Sequence, residues 1–265
     1  MEGEFYADFF NGFVEATSSQ RHEPVLITKD LPPDQLGQYL QSLPRYHFDA
    51  AVLFHPELKT SQSRQILDPL PDSFPLISVS SAVNPVIDTI TFDSYRGGYI
   101  VGQHFYDSRY RSVGIITGPT QWTEPYLRRN GFADFANFTS SLKLIWEYNG
   151  DYSIQSGKDA FKEFHKMDTK PRAIFASNDN MSLGFSIMAL NKGYRIPEDI
   201  AICGYDDLEI CSNFAPSLSS VHTDYKMLAN NVLNKIEDNL FNRTSNRGQL
   251  QLLPISLKIR ESSGR

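Results

Sequence analysis

The sequence predicts an α/β fold of two lobes, each a doubly wound parallel sheet, with a ligand cleft between them. Three observations support this prediction. Apolar runs of strand length alternate with helical stripes, two such series follow one another, and residues 173–207 form a complete strand, helix and strand unit. Two series in one chain indicate two lobes, because each parallel sheet needs its own set of crossover helices.

The first series consists of short elements with apolar faces. In order they are a helix with the stripe Tyr6, Phe9, Phe10, Phe13 and Val14, a strand at 25–28, a helix with Leu36, Leu40 and Leu43, and strands at 50–54, 76–79 and 89–92. Asp93 follows the last strand and begins a helix that is predicted to extend to about residue 107.

The second series contains longer apolar runs. It is predicted to hold strands at 113–117 and 142–148, a helix near 125–138 and a helix after Ser153.

The unit at 173–207 is the clearest part of this series. Ala173–Ser177 has the length of a buried parallel strand, and Asn178 with Asp179 supplies the capping groups of the helix that follows. Gly193 suits the end of that helix, Pro197 prevents its continuation, and residues 200–203 form the next strand.

Polar residues follow both strands of this unit. Asn178 and Asp206 emerge from the carboxyl ends of strands that should be parallel neighbours, and ligands bind at that edge of open α/β sheets. Two structural alternatives exist: Asn178 and Asp179 as helix caps only, and Asp206 with Asp207 as an ordinary turn. The spacing alone does not decide between them.

Composition is that of a soluble globular protein rather than a nucleic-acid-binding or membrane segment. The 265 residues are 40% hydrophobic and 21% charged, with a net charge of −6 and a pI near 5.5. No run approaches the roughly 20 apolar residues of a membrane span, and the acidic N-terminus does not resemble a signal peptide. A cytoplasmic location is predicted, with Cys203 and Cys211 as free thiols.

Catalytic and metal-binding patterns are missing from the sequence. It contains no Gly-x-Ser-x-Gly, His-Glu-x-x-His, Cys-x-x-Cys or phosphate-binding glycine loop, and its six histidines are scattered without metal-ligand spacing. We therefore expect a binding protein with no catalytic residues, no metal and no cofactor.

A set of separated motifs resembles the LacI/GalR family of bacterial transcriptional regulators. The motifs are Asp93–Gly98, Arg128–Phe132, Asn178-Asp179, Gly193–Asp199, Gly204–Asp207, Pro216–Ser220, Leu253–Leu257 and Arg260–Ser262. They cover nearly the whole chain in order and match the effector-binding, periplasmic-binding-protein-like region of that family. The sequence departs from the family in having neither the helix-turn-helix that binds operator DNA nor the first strand of the first lobe.

The resemblance implies a domain organisation and partners. The first lobe would comprise residues 1–108 and 222–249 and the second 109–221 and 250–265, so the chain would cross between lobes three times. It further implies a homodimer, operator binding only through the missing N-terminal domain, and control of that binding by a small molecule. Without that domain, the chain should have no specific DNA affinity.

Carried over position by position, the family's effector contacts fall on Phe5, Tyr6, Asp93, Arg128, Tyr152, Asn178, Asp206 and Tyr225. Several of these residues have a structural alternative: a core position for Phe5 or Tyr6, a helix cap for Asp93, a solvated helix arginine for Arg128 and a loop aromatic for Tyr152. Aromatic faces with Asp, Asn and Arg suit a mono- or disaccharide, with a purine as the second ligand class.

A solute-binding receptor of a sugar transporter is the alternative function, because it shares the two-lobed architecture. Such a receptor should carry an export signal, which this sequence lacks, and Arg260-Glu261-Ser262 resembles the regulators. A sugar-converting enzyme is the third function class, and turnover of a bound sugar would favour it.

Overall fold

The computed structural model describes residues 4–18, 22–28, 31–242 and 247–264. The chain forms two compact units: unit 1 comprises residues 1–92 and 224–253, and unit 2 comprises 93–223 and 254–265. The chain therefore passes between the units three times.

Helices and strands alternate along most of the described chain. The helices are α1 (Glu4–Ser18), α2 (Pro33–Ser42), α3 (Thr60–Leu67), α4 (Ser94–Asp107), α5 (Thr123–Phe138), α6 (Ile154–Lys166), α7 (Asp179–Asn191), α8 (Ile210–Asn213) and α9 (Tyr225–Asn242), with a 3₁₀ turn at Leu43–Tyr46. The strands are β1 (Ala51–Leu53), β2 (Leu76–Ser78), β3 (Asp88–Phe92), β4 (Ser112–Thr117), β5 (Lys143–Asn149), β6 (Ala173–Ala176), β7 (Ala201–Asp206), β8 (Ser219–His222), β9 (Leu250–Leu253) and β10 (Ser256–Lys258). Among the described residues, no helix is both long and apolar enough to cross a membrane.

Unit 1 contains a parallel sheet in the order β1-β2-β3-β9. Its apolar core is formed by leucines of α2, Ile66 of α3 and Phe74. Helix α1 packs against α9, and Gly12 allows the approach, since a Cβ there would lie 3.2 Å from the Lys226 Cα. The predicted parallel α/β architecture of this unit is confirmed.

The predicted strand at 25–28 is wrong. Residues 22–28 form no ladder with any described strand, and the side chains of Val25, Leu26 and Ile27 are 60%, 50% and 37% exposed. A short apolar run becomes a strand only where a neighbouring strand accepts its hydrogen bonds, and the described part of unit 1 provides none beside this segment.

Unit 2 contains a larger sheet in the order β10-β8-β7-β6-β4-β5, in which β10 alone runs antiparallel to its neighbour. Side chains alternate between its two faces. Phe175 of β6 joins a core with Phe105 of α4 and Phe132 of α5, whereas Ile174 joins a core with Phe161 of α6 on the opposite face. Helices therefore cover both faces of the sheet, as in a doubly wound fold.

Two glycines allow a close contact between helices α4 and α5 of unit 2. A Cβ at Gly98 of α4 would lie 1.9 Å from the carbonyl oxygen of Arg128, and a Cβ at Gly131 of α5 would lie 1.9 Å from that of Tyr95. The two helix backbones thus touch at the turn that carries Arg128, so this packing determines where the Arg128 side chain starts.

The unit boundaries differ from those expected from the sequence. The first change of unit occurs at residues 92 and 93 instead of 108 and 109, so α4 belongs to unit 2. The physical reason is the packing of α4 on α5 through Val101, Phe105 and Phe132. The later changes fall after residues 223 and 253, where residues 221 and 249 were expected.

Candidate functional site

Polar residues meet at one edge of the unit 2 sheet. Strands β4, β6 and β7 are adjacent and parallel, so Thr117 and Asp206, which end β4 and β7, and Ser177, which directly follows β6, lie at the same edge. Asn178 follows Ser177 and precedes α7. The sequence-based expectation that Asn178 and Asp206 emerge from neighbouring parallel strands agrees with this order.

Arg128 of α5 reaches this edge with its guanidinium group oriented by three groups. Its Nη1 donates to the Ser177 carbonyl oxygen at 2.5 Å, and its Cζ lies 3.6 Å from the centre of the Tyr205 ring. Its Nη2 lies 3.8 Å from Asp206 Oδ1, and these side chains are only 12% and 16% exposed. A cation that is fixed in this way next to a carboxylate presents a defined set of donors and acceptors.

Tyr152 lies beside Arg128, with its ring packed into a space that only glycine leaves open. A Cβ at Gly118 would lie 2.3 Å from the Tyr152 ring, and the Tyr152 backbone has a positive φ of 72°. Arg128 Cζ is 6.0 Å from this ring, and the Trp122 ring is 5.6 Å away. Burial raises the pKa of the Tyr152 hydroxyl above its usual range, so the hydroxyl stays a neutral hydrogen-bonding group.

Asn178 makes two hydrogen bonds at this edge, and its predicted role as a ligand contact stays a prediction. Its side-chain oxygen accepts the backbone N–H of Met181 at 2.9 Å, which caps α7. Its Nδ2 donates to the Tyr152 carbonyl oxygen at 2.9 Å. The cap interpretation is therefore confirmed for Asn178 but not for Asp179, whose side chain bonds Leu208 and Ser220 instead, and the Asn178 side chain also binds the loop of Tyr152.

Asp206 and Asp207 stand in a turn with unusual backbone angles. Their φ values are 107° and 59°, both in the region that favours glycine. The Asp207 carboxylate forms an ion pair with Arg260, whose Nη2 lies 2.6 Å from Asp207 Oδ1, and its Oδ2 lies 2.9 Å from His222 Nδ1. Asp207 is thus a structural anchor, which leaves Asp206 as the carboxylate facing Arg128.

Asp93 caps α4, because its Oδ1 accepts the Arg96 backbone N–H at 2.9 Å. Asp93 also lies in the electrostatic environment of Tyr205, whose hydroxyl pKa is raised first by burial and in smaller part by the charges of Asp206 and Asp93. The capping alternative for Asp93 is confirmed, and its role as a contact of a bound molecule stays a prediction.

The remaining predicted contacts belong to unit 1. The Tyr225 ring is buried and packs edge-on against Phe92, with ring centres 5.6 Å apart. Phe5 and Tyr6 fall in α1, but their side chains lie outside the described residues. These three assignments stay predictions.

Sequence reasoning did not include three residues of this edge among the predicted ligand contacts. Tyr205 provides the face on which Arg128 stacks, Trp122 packs on Tyr152, and Asp179 is fully buried beside the Asp206 turn. A signal existed for Tyr205 and Asp179, since each directly neighbours a predicted contact. Trp122 stands before α5 in a segment without periodicity, and nothing in its spacing pointed to Tyr152.

The geometry suits reversible binding of a small polar molecule with an apolar face. Arg128 supplies donors, Asp206 supplies acceptors, and the Tyr152 and Trp122 rings supply flat apolar surface. Among the described residues, no group of three or more His, Cys, Asp or Glu side chains could hold a metal ion.

Comparison with known proteins places this architecture in a family. Residues 103–263 match the family model of the periplasmic binding protein-like domain. Over 263 residues the chain is 26% identical to the HTH-type transcriptional repressor PurR of Mannheimia succiniciproducens, with 98% of this chain and 78% of the relative covered. It is 25% identical over 255 residues to the ribose operon repressor of Escherichia coli, with 96% and 77% covered.

Solved structures show the same fold. The lac repressor bound to ONPG in its repressed state superposes with a TM-score of 0.87 at 20% identity, covering 97% of this chain and 77% of that one. The complex of the transcriptional regulator CelR with cellobiose superposes with a TM-score of 0.84 at 24% identity, covering 97% and 79%.

Proposed function

The chain belongs to the periplasmic binding protein-like domain family, as the effector-binding region of a LacI/GalR-type transcriptional regulator, and we propose that its effector is a mono- or disaccharide. The observation that carries this proposal is the partly buried pair of Arg128 and Asp206 beside the Tyr152 ring.

The chemistry of the pair matches a sugar. A carboxylate can accept hydrogen bonds from two adjacent hydroxyl groups, while a guanidinium donates to hydroxyl and ring oxygens. The Tyr152 and Trp122 rings offer apolar surface to the C–H face of the ring of a sugar. One relative is a ribose operon repressor, and one structural neighbour is a complex with cellobiose, which supports the same ligand class.

A purine base is the second candidate effector. The tilted pair of Trp122 and Tyr152 offers aromatic surface on which a flat base could also stack, and the first relative is a PurR repressor. The two effector classes differ in their needs, because a base requires fewer hydroxyl partners and more stacking area than a sugar.

We further propose that the chain forms a homodimer in the cytoplasm and binds its effector without converting it. The relatives are repressors, one of them named as an HTH-type transcriptional repressor. The resemblance to the LacI/GalR family implies a helix-turn-helix domain that binds operator DNA under the control of the effector. We propose that residues 1–265 control a domain of that kind. A transporter's solute receptor is the less supported assignment for the same fold.

A ligand panel tests the proposed effector. The wild-type chain is titrated with D-ribose, cellobiose and hypoxanthine while its thermal unfolding and tryptophan fluorescence are recorded. The chain has two tryptophans, so a Trp146→Phe variant leaves Trp122 as the only reporter beside Tyr152. A saturable shift of melting temperature and of Trp122 fluorescence with either sugar supports the proposal. A response to hypoxanthine alone would transfer it to the purine class, and a response to none would contradict it.

A further inference from the structure

Asp179 is a fully buried carboxyl group at the first position of α7, and both its oxygens are bonded to the surroundings of the Asp206 turn. Its Oδ2 accepts the backbone N–H of Leu208 at 2.9 Å. Its Oδ1 lies 2.6 Å from the Ser220 Oγ of β8. The side chain does not cap its own helix, since Asn178 makes that bond.

Ser220 links Asp179 to the backbone of Asp207. The Ser220 Oγ also accepts the backbone N–H of Asp207 at 3.0 Å. Asp179 therefore fixes two consecutive N–H groups directly after Asp206, that of Leu208 itself and that of Asp207 through the Ser220 hydroxyl.

The turn that is held in this way is strained. Consecutive non-glycine residues with φ of 107° and 59° are unfavourable, at about 1–3 kcal/mol each, and persist only where the surroundings fix them. The Thr223 hydroxyl also donates to the Asp206 carbonyl oxygen, at 3.2 Å. Removing one of these hydrogen bonds should let the backbone of the turn relax toward ordinary angles, and the Asp206 side chain should then turn away from Arg128.

Gly204 shows how closely the carboxyl group lies against β7. A Cβ at Gly204 would come within 2.1 Å of Asp179 Oδ1. The glycine thus admits the carboxyl group to the backbone of β7, two residues before Asp206.

We propose that Asp179 is a positioning residue for effector binding: it fixes the backbone of residues 206–208 so that the Asp206 carboxylate faces Arg128, without itself touching the effector. This inference rests on the proposed function, because it acts through the Asp206 contact. It also assigns a part in that function to a buried residue that does not touch the effector.

The protonation state of Asp179 suggests which substitutions separate its charge from its role as a hydrogen-bond acceptor. Burial raises its pKa to about 8, and the negative charge of Asp206 adds to this, while the hydrogen bonds from Ser220 and Leu208 oppose it. Oδ2 can accept the Leu208 N–H in either protonation state. An Asp179→Asn change keeps such an oxygen, whereas Asp179→Ala removes the acceptors of the Leu208 N–H and of the Ser220 hydroxyl.

The first test needs no ligand. Hydrogen exchange of the Asp207 and Leu208 amides is measured in the wild type, in Asp179→Ala and in Asp179→Asn, with Asp159→Asn on the exposed face of α6 as the matched control. We expect both amides to exchange at least tenfold faster in Asp179→Ala and the Leu208 amide to recover in Asp179→Asn. Unchanged exchange in Asp179→Ala would overturn the inference.

The second test is a double-mutant cycle with whichever of D-ribose, cellobiose or hypoxanthine binds the wild type. Asp179→Ala should weaken that probe about tenfold, since it forfeits part of the hydrogen bond of a charged Asp206. The same change in an Asp206→Ala background should have no further effect. Additive losses would overturn the inference, because they would show that Asp179 does not act through Asp206.

A milder variant keeps the tests decisive if Asp179→Ala does not fold. Ser220→Ala removes the link to the Asp207 N–H and should raise exchange at residue 207 and weaken the probe about threefold, again only when Asp206 is present. Failure of all three probes to bind the wild type would contradict the proposed function, and amide exchange would then decide the positioning role by itself.

Discussion

Unit 1 and unit 2 are both parallel α/β layers, but they support their strand ends differently. In unit 2, strands β4, β6 and β7 are buried almost throughout and covered by helices on both faces. In unit 1, β1 and β2 are three residues long, and Val25, Leu26 and Ile27 remain exposed. A strained turn such as Asp206-Asp207 can therefore be held where the strands before it are rigidly packed.

The largest expected difference between the units is the loss of unfolding free energy when an isoleucine side chain is truncated to alanine in each of them. Ile174→Ala in β6 should lower the free energy of unfolding by about 2–5 kcal/mol, because Ile174 is fully buried and its loss leaves a cavity. Ile27→Ala should change it by less than about 0.5 kcal/mol, as for an exposed side chain. Urea denaturation of both variants checks this, and a large effect of Ile27→Ala would show that residues 22–28 are buried in solution.

A glycine-to-alanine change at a helix contact should also destabilise unit 2 more than unit 1, but by a smaller difference. Gly98→Ala forces a Cβ toward the Arg128 carbonyl and should destabilise the protein by about 2–3 kcal/mol, as overpacking does. Gly12→Ala in α1 meets the Lys226 Cα at 3.2 Å and also gains helix propensity, so its net effect should stay within about 1 kcal/mol of zero.

Thermal and urea unfolding of both glycine variants measure this difference. Equal destabilisation by Gly98→Ala and Gly12→Ala would contradict the claim that close helix packing in unit 2 sets the position of Arg128.

The pH dependence of stability should reveal the buried carboxyl group of unit 2. The folded pKa of Asp179 is about 8, above the usual value near 4 for an unfolded chain, so folding favours its protonated form. Its contribution is therefore fully present below about pH 4 and is lost as the pH rises through about 8.

Asp179→Asn is the reference for this titration, since it stays neutral at every pH. The unfolding free energy of the wild type minus that of Asp179→Asn should decrease between pH 4 and 8, as measured by urea denaturation. A difference that stays constant between pH 5 and 8 would contradict this, because it would mean that the folded state holds Asp179 as a carboxylate.

The sequence predicted unit 2 more completely than unit 1 for a physical reason. Long apolar runs such as 113–117 and 173–177 form strands wherever a sheet exists, and β4 and β6 match them within a residue. The run at 25–28 is short, and its state depends on a partner strand that local sequence does not specify. The predicted boundary between residues 108 and 109 was wrong because the sequence does not show which of the two sheets α4 packs on.

The candidate site was predictable only in its outline. Strand order brought Asn178 and Asp206 to one edge, and the family resemblance supplied Arg128 and Tyr152. The stacking of Arg128 on Tyr205, the buried bonds of Asp179 and the burial of Cys211 in α8 arise from three-dimensional packing between distant segments. No spacing rule encodes such contacts.

Calorimetric titration of Arg128→Ala and Arg129→Ala with the sugar that binds the wild type tests the central claim most directly. The two residues are neighbours on α5, but Arg128 faces Asp206 whereas Arg129 pairs with Glu147 at 2.6 Å on the surface. We expect Arg128→Ala, like Asp206→Ala, to weaken binding about 10-fold to 150-fold, which corresponds to about 1.5–3 kcal/mol for a hydrogen bond to a charged group. Arg129→Ala should leave the affinity unchanged. Equal affinities of the wild type, Arg128→Ala and Asp206→Ala would contradict the assignment of the effector to this edge of unit 2.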